Sequence, residues 1–429
     1  MAERIIVKGG SKLDGRIRIS GSKNASLPLL AATILSDKAV TIKNLPHLAD
    51  IATMSQLLLS FGMELNFIGH GDKSNSRGRS IICDASNINN YRAEYDIVSK
   101  MRASILVLGP LVAKYGKAIV SLPGGCAIGA RPVNFHIKAL EQLGATIEIK
   151  EGYLHAAAPQ GLTGAEITFP KISVGATENT LMAASLAKGT TILHNAAIEP
   201  EIIDLINLLK SMGAKITQEG RSITIEGVET LAGSEYQVCA DRIEAGSYAV
   251  AALATRGKIF FPELKADIFT PIKEQLVTCG ALISETEAGV TVAYQEPRNK
   301  IDEYFLETTE FPGFPTDMQA QFAALLGLQN FKSRIRENIF ENRFMHVSEL
   351  SRMGADIQIE GNELAIAPAK LSGAEVNASD LRASMALVIA ALTAQGTTTI
   401  YKTHHLDRGY ELLVEKLSNA GANIYRELY

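Results

Sequence analysis

The stretch Gln142-Leu143-Gly144-Ala145 and its near-copies decide the fold of this chain. The same ending, an apolar run at helical spacing closed by Gly and usually Ala, returns as Ser211-Met212-Gly213-Ala214, Thr278-Cys279-Gly280-Ala281, Arg352-Met353-Gly354-Ala355 and Asn419-Ala420-Gly421-Ala422. A first copy stands earlier, as Leu59-Ser60-Phe61-Gly62. Six copies at steps of 67 to 82 residues define an internal repeat. Each Gly falls where a helix needs a left-handed residue past its last turn. The residues after it alternate as a strand does, in Thr146-Ile147-Glu148-Ile149 and Ile357-Gln358-Ile359. Turn pairs at Glu151-Gly152, Glu219-Gly220 and Gly361-Asn362 then predict hairpins.

Each copy also holds a second helix, opened by a polar cluster and built of small apolar residues. Its starts are Ser22-Lys23-Asn24-Ala25-Ser26, Lys100-Met101-Arg102-Ala103-Ser104, Gly175-Ala176-Thr177, Asp241-Arg242-Ile243-Glu244, Thr316-Asp317-Met318-Gln319 and Asp380-Leu381-Arg382-Ala383-Ser384. The unit expected is strand-helix-strand-helix-hairpin, a βαβαββ pattern, which makes the chain α/β. The sixth copy stops after Ala422-Asn423-Ile424-Tyr425, one strand short, while Arg4-Ile5-Ile6-Val7 stands alone before the first. The chain ends are therefore expected to complete one another. That predicts a discontinuous domain, 1–21 plus 241–429, carrying units four to six, with units one to three inserted as 22–240. Two crossings, near 21 and 240, predict a hinge beside a cleft that holds the active site.

Composition agrees with a two-domain chain: 429 residues, 46% of them hydrophobic, exceed what one core usually supports. With 21% charged residues and a formal net charge of −4, no nucleic-acid or membrane-surface footprint is expected, and an anionic ligand must meet local basic clusters. The cysteines Cys83, Cys126, Cys239 and Cys279 show neither CxxC spacing nor a disulfide framework, which predicts reduced thiols in a cytoplasmic protein. Cys83, Cys239 and Cys279 read as packing residues. No apolar signal core opens the sequence, and the apolar runs 103–113 and 383–394 fall short of the roughly 20 residues a membrane span needs, so neither export nor insertion is expected. His136 and the pair His404-His405 lack companions at metal-ligand spacing. Neither GxxxxGK[ST] nor a strand-borne GxGxxG is present, which speaks against nucleotide-triphosphate or dinucleotide chemistry.

The segment Leu122-Pro123-Gly124-Gly125-Cys126-Ala127-Ile128-Gly129-Ala130-Arg131-Pro132 interrupts a unit between a strand and its helix. Its glycines permit close backbone approach to a ligand, and Arg131 adds charge beside a helix start. Two readings of Cys126 fit that setting: a thiol tuned for proton donation or attack, and an unreactive thiol in a glycine-rich turn. Asp317 likewise reads either as a helix cap or as a general base. Lys23, Arg102, Arg382, Arg343 and Arg408 are surface charges taken singly, and a phosphate- and carboxylate-binding set taken together.

Five motifs give the chain a family likeness: Gly21-Ser22-Lys23-Asn24-Ala25, the Cys126 loop through Arg131-Pro132-Val133, Phe314-Pro315-Thr316-Asp317-Met318-Gln319, Glu341-Asn342-Arg343-Phe344-Met345-His346 and Asp407-Arg408-Gly409-Tyr410-Glu411. In order and spacing the chain resembles, over nearly its whole length, the UDP-N-acetylglucosamine enolpyruvyl transferases, or 1-carboxyvinyltransferases. The resemblance implies a two-domain inverse α/β barrel of six repeated βαβαββ-type units, three per domain. It implies transfer of the 1-carboxyvinyl group of phosphoenolpyruvate to the 3-hydroxyl of UDP-N-acetylglucosamine with release of phosphate, by addition and elimination, as the first committed step of peptidoglycan synthesis.

By the same resemblance Cys126 is the acid that protonates phosphoenolpyruvate, and it also adds to it covalently. Asp317 assists deprotonation of the sugar, and Lys23 and Arg408 act in catalysis through their charge. Lys23, Asn24, Cys126, Arg131 and Arg408 match the phosphoenolpyruvate site. Asn24, Arg102, Arg131, Pro132, Val133, Asn134, Phe135, Lys171, Ser173, Val174, Gly175, Asp317 and Ile339 match UDP-sugar contacts, with Arg343 and Asp380 in support. No metal and no organic cofactor is implied. Asn134-Phe135 stands where the family usually has Asp-Leu, a departure that touches uridine recognition and not the chemical centre. Members with Asp at the loop cysteine resist the epoxide fosfomycin, so Cys126 predicts alkylation and sensitivity.

Two rivals are weighed against this reading. The sister enzymes that use shikimate 3-phosphate typically carry a GN[AS]GT signature where this chain has Tyr95-Asp96-Ile97-Val98-Ser99-Lys100-Met101-Arg102. A catalytically silent UDP-sugar-binding regulatory protein would have little need of every catalytic match.

Overall fold

The computed structural model of the chain describes residues 3–69, 78–122, 133–297 and 301–429. The six glycines expected to end helices all take positive φ, from 92° at Gly280 and Gly354 to 106° at Gly213. The helix Pro200–Ser211 shows how the sequence arranges this. Proline opens it, where a missing N–H is no loss, and Ile202, Leu205, Ile206, Leu208 and Leu209 bury one face. Past the last turn, Ala214 N donates to Leu209 O and Gly213 N to Lys210 O, each at 2.9 Å, a reversal that a left-handed residue permits. The chain then enters the strand Lys215–Glu219, which pairs antiparallel with Ser222–Glu226.

Upstream in the same repeat, Glu166–Thr168 runs parallel to Thr190–His194, and the latter pairs with the hairpin. Among the described residues there are six four-stranded sheets, five with this order of a parallel pair joined to a hairpin and a sixth in which two strands from opposite ends of the chain take the hairpin's place. The helix between the parallel strands, Val174–Ala184, is buried from Ala176 to Ala184, Thr177, Glu178, Asn179 and Thr180 included. A helix buried on every side belongs in the middle of a core. Lys23–Ala32, Arg242–Ala254 and Ala383–Thr393 are of the same kind.

The described chain forms two compact units, residues 20–122 with 133–239 and residues 3–19 with 240–429. Each contains three of the sheets and its own apolar core. In the first, the helices Leu108–Tyr115 and Val174–Ala184 pack so closely that a Cβ on Gly109 would lie 2.3 Å from Asn179 Oδ1. In the second, Arg242–Ala254, Gln319–Leu326 and Ala383–Thr393 pack on one another.

The chain ends do complete one another. Glu3–Lys8 pairs antiparallel with both Asn423–Leu428 and Thr397–Tyr401, with Ile5 and Val7 fully buried. Two further pairings had no counterpart in the sequence pattern. Asp14–Arg16 runs parallel to Lys258–Pro262, and Glu235–Gln237 runs parallel to Val40–Leu45. Two sheets of the unit 3–19 with 240–429, and one of the other unit, thus take a strand from a distant part of the chain. Among the described residues no helix is long and apolar enough to cross a membrane.

Candidate active site

Within residues 20–239 the candidate residues gather at helix starts. Ser22 caps the helix Lys23–Ala32, its side chain accepting from Ala25 N at 3.3 Å, which places Lys23 in the first turn. The Lys23 ammonium is buried and lies 3.3 Å from Oδ2 of buried Asp50, at the start of the helix Ala49–Ser60. Asn24, beside it, is half-buried. Arg102 opens the short 3-10 helix Arg102–Val107 and is also half-buried.

Val133, Asn134 and Phe135 begin the helix Asn134–Gln142, and the next residue, His136, ties them to two other segments. Asn179 Oδ1 accepts from Gly109 N at 2.6 Å, so its amide nitrogen faces Ile105 O at 3.1 Å and His136 Nδ1 at 3.0 Å. Nδ1 is therefore the acceptor, and the ring proton sits on Nε2. Burial first, and the charge of Arg102 second, push the His136 pKa down to about 4. The ring lies against Gly175, where an added Cβ would come within 3.3 Å of Cε1. His136 thus brings Arg102, the 133–135 run and the turn Ser173-Val174-Gly175 into one neighbourhood.

That turn opens the helix Val174–Ala184, capped by Ser173, whose Oγ accepts from Ala176 N at 3.4 Å. Backbone N–H groups in a first helical turn suit an anion. Lys171, just ahead, is exposed. Deeper in the same helix, Glu178 is buried, and burial, then Glu201 and Glu199, raise its pKa well above the ordinary carboxylate value. Cys126, Arg131 and Pro132 lie outside the described residues.

In the unit 3–19 with 240–429, Asp317 belongs to the 3-10 turn Thr316–Met318 that leads into the helix Gln319–Leu326. The residues ahead of the two elements, Pro315 and Met318, make no side-chain cap bond, and Asp317 is the acidic residue of the first turn. Its oxygens meet two arginines: Arg343 Nη2 at 2.5 Å from Oδ1 and Arg382 Nε at 3.5 Å from Oδ2. Arg382 is 2% exposed, stands over the Tyr410 ring at 5.5 Å and has Nη2 3.8 Å from Asp241 Oδ2. Burial works against its charge, yet Asp241, Tyr410 and Asp317 together hold its pKa above the ordinary arginine value.

Asp380, expected in support of the site, caps a helix start: Oδ1 accepts from Arg382 N at 2.7 Å and Ala383 N at 2.8 Å. Arg408 ends the 3-10 helix Thr403–Arg408 and is half-buried. Ile339 N donates to Glu337 Oε1 at 2.9 Å. Sequence reasoning missed Asp50, Asp241 and Glu337. Arg382, which shares its repeat position with Lys23 and Arg102, is expected from the sequence in the phosphate- and carboxylate-binding set, and here it faces Asp241 and Asp317. Of the other thiols, Cys83 and Cys279 are buried as expected, while Cys239 is half-buried.

The model of the family EPSP synthase (3-phosphoshikimate 1-carboxyvinyltransferase) matches residues 7–417. At higher resemblance, "UDP-N-acetylglucosamine 1-carboxyvinyltransferase" of Dinoroseobacter shibae is 50% identical over 426 residues, 99% of each chain. The protein of the same description from Ruthia magnifica subsp. Calyptogena magnifica is 51% identical over 425 residues, again 99% of each chain. This chain belongs to the UDP-N-acetylglucosamine 1-carboxyvinyltransferases.

Among solved structures, the enolpyruvyl transferase NikO from Streptomyces tendae matches with a TM-score of 0.86 over 99% of both chains at 23% identity. EPSP synthase from Acinetobacter baumannii matches with a TM-score of 0.73 over 100% of both chains at 18% identity. At those identities the likeness concerns the fold, and it bears out the two-domain α/β architecture of repeated units expected for a 1-carboxyvinyltransferase.

Proposed function

We propose that this chain transfers the 1-carboxyvinyl group of phosphoenolpyruvate to the 3-hydroxyl of UDP-N-acetylglucosamine, releasing phosphate, in the cytoplasm and as the first committed step of peptidoglycan synthesis. The choice of acceptor rests on one observation, the 50% identity over 99% of the chain to relatives described by that activity. In the addition step the Cys126 thiol gives its proton to the methylene carbon of phosphoenolpyruvate. The sugar O3 bonds to the neighbouring carbon, and its proton passes to Asp317. The tetrahedral ketal then loses phosphate, which carries off the proton held by Asp317, while a methyl proton returns to the Cys126 thiolate, restoring the vinyl group and both residues.

Lys23, Arg131 and Arg408 hold the phosphate and carboxylate and stabilise the charge that develops on them. Asn24, Arg102, the 131–135 run, Lys171, Ser173, Val174, Gly175 and Ile339 receive the UDP-sugar. The packing of His136 against Gly175 supports treating the 133–135 run and the 173–175 turn as parts of one ligand site. The departure at Asn134-Phe135 makes uridine recognition the place where this member differs.

Phosphate release from phosphoenolpyruvate, measured with each acceptor in turn, tests the reading. Turnover with UDP-N-acetylglucosamine is expected, and turnover only with shikimate 3-phosphate would overturn it. Binding of the UDP-sugar with no phosphate released would favour a silent regulatory protein. Cys126→Ser is expected to lose turnover at neutral pH, Cys126→Asp to retain it, and fosfomycin to inactivate only the parent.

A further inference from the structure

We infer that Glu337 is a positioning residue for this reaction: its buried carboxylate fixes Asp317 through Thr316 and Arg343, and fixes Ile339 through the main chain. The inference rests on the proposed function for what Asp317 and Ile339 do. Glu337 is 3% exposed and lies just past the strand Lys332–Arg336. Four neutral donors converge on it. Thr308 Oγ1 at 2.9 Å, Ile339 N at 2.9 Å and Phe340 N at 3.1 Å reach Oε1, and Thr316 Oγ1 at 2.9 Å reaches Oε2. A buried carboxylate needs such donors to replace lost water, which explains why they are there.

The direction of the bonds carries the argument. An ionised carboxylate only accepts, so Thr316 must point its hydroxyl proton at Glu337. That leaves the oxygen lone pairs of Thr316 facing the other way, where Arg343 Nη1 donates to them at 2.9 Å. The guanidinium is planar, so fixing one arm aims the other. The other arm, Nη2, meets Asp317 Oδ1 at 2.5 Å. Phe340, whose N–H Glu337 also holds, lies beneath the same guanidinium at 5.2 Å. One carboxylate therefore sets the orientation of the proposed base and the place of a proposed UDP-sugar contact. A residue serving only to cap the 339–340 turn would affect stability and leave the two kinetic constants moving together.

Thr316→Val cuts the branch to Asp317 and leaves the bonds to Ile339 and Phe340 intact, while Thr316→Ser keeps the hydroxyl. With phosphoenolpyruvate saturating, Thr316→Val is expected to lose about tenfold or more in kcat, with KM for UDP-N-acetylglucosamine within about threefold of the parent. Thr316→Ser should recover to within about threefold in kcat. Glu337→Gln, which disturbs both branches, should lower kcat and raise KM. Parent-like kcat in Thr316→Val, equal losses in the Val and Ser variants, or a Glu337→Gln enzyme with parental constants would each overturn the inference. If Thr316→Val fails to fold, the Ser variant and Glu337→Gln decide between the same outcomes. Variant results of that kind leave the proposed function standing, whereas a parent chain without turnover removes the function and the inference together.

Discussion

Arg343 holds Asp317 by one arm and its sequence neighbour Thr316 by the other, at 2.5 Å from Oδ1 and 2.9 Å from Oγ1. Arg382 approaches the second carboxylate oxygen at 3.5 Å. Asp317 thus has a fixed orientation before any substrate arrives, which is what a proton acceptor needs in order to act on one particular hydroxyl.

Asp317→Asn keeps an oxygen for Arg343 and removes the proposed proton acceptor. Its kcat is expected to fall by about 10²- to 10⁴-fold, the usual contribution of a positioned base. Calorimetric affinity for UDP-N-acetylglucosamine should stay within about tenfold. A parental kcat would assign the base role elsewhere.

Arg382→Met removes a buried cation that faces both Asp241 and Asp317. Asp317 keeps Arg343, whereas Asp241 is buried, and taking the cation from a buried carboxylate typically costs about 3–5 kcal/mol. Urea unfolding should report a loss of that order, and a loss under about 1 kcal/mol would mean that the helix-capping bonds of Asp241 to Ile243 N and Glu244 N suffice for it.

Gly109→Ala places a methyl 2.3 Å from Asn179 Oδ1 and 2.4 Å from Asn179 O, against backbone that cannot yield cheaply. Overpacking at such a crossing costs about 1–3 kcal/mol. Asn179 also anchors His136, so the UDP-sugar KM should rise along with the drop in melting temperature. An unchanged melting temperature would show that the two helices can separate without penalty.

His346 is fully buried, and burial first, then the charge of Arg343, lowers its pKa to about 3. The folded pKa lies below the unfolded one, so its contribution is complete above pH ~6.5. It is lost as acid protonates the unfolded chain but not the folded one, by up to ~1.4 kcal/mol per pH unit down to about pH 3. His136 adds the same sign down to about pH 4, and Glu178, with its raised pKa, works in the opposite direction above the ordinary carboxylate value. A His346→Phe variant isolates one group. Between pH 6.5 and 4 its stability relative to the parent should improve by ~1 kcal/mol per unit, and parallel denaturation curves across that range would refute the assignment.

The sequence by itself determined the features whose physics is local. A left-handed residue after a helix, a Ser or Asp ahead of one and a two-residue turn between alternating strands each satisfy backbone groups within about four residues. Gly213, the helix start at Ser22 and the hairpin from Lys215 to Glu226 were accordingly legible, and so was the six-fold repeat they mark. A missing strand at one end and a spare one at the other even exposed the pairing of Glu3–Lys8 with Asn423–Leu428.

Only the tertiary structure decided which strands lie beside Lys258–Pro262 and Val40–Leu45. Asp14–Arg16 beside Lys258–Pro262, and Glu235–Gln237 beside Val40–Leu45, are backbone pairings that three-residue strands hardly encode. It also decided what surrounds Asp317. A carboxylate at a helix start reads as a cap until the charges around it are known, and those charges, Arg343 and Arg382, reach it through space from other repeats and elements. Glu337 stayed invisible for the same reason: its role is a set of distances to Thr308, Thr316 and Ile339, and folding alone brings those groups within hydrogen-bond reach.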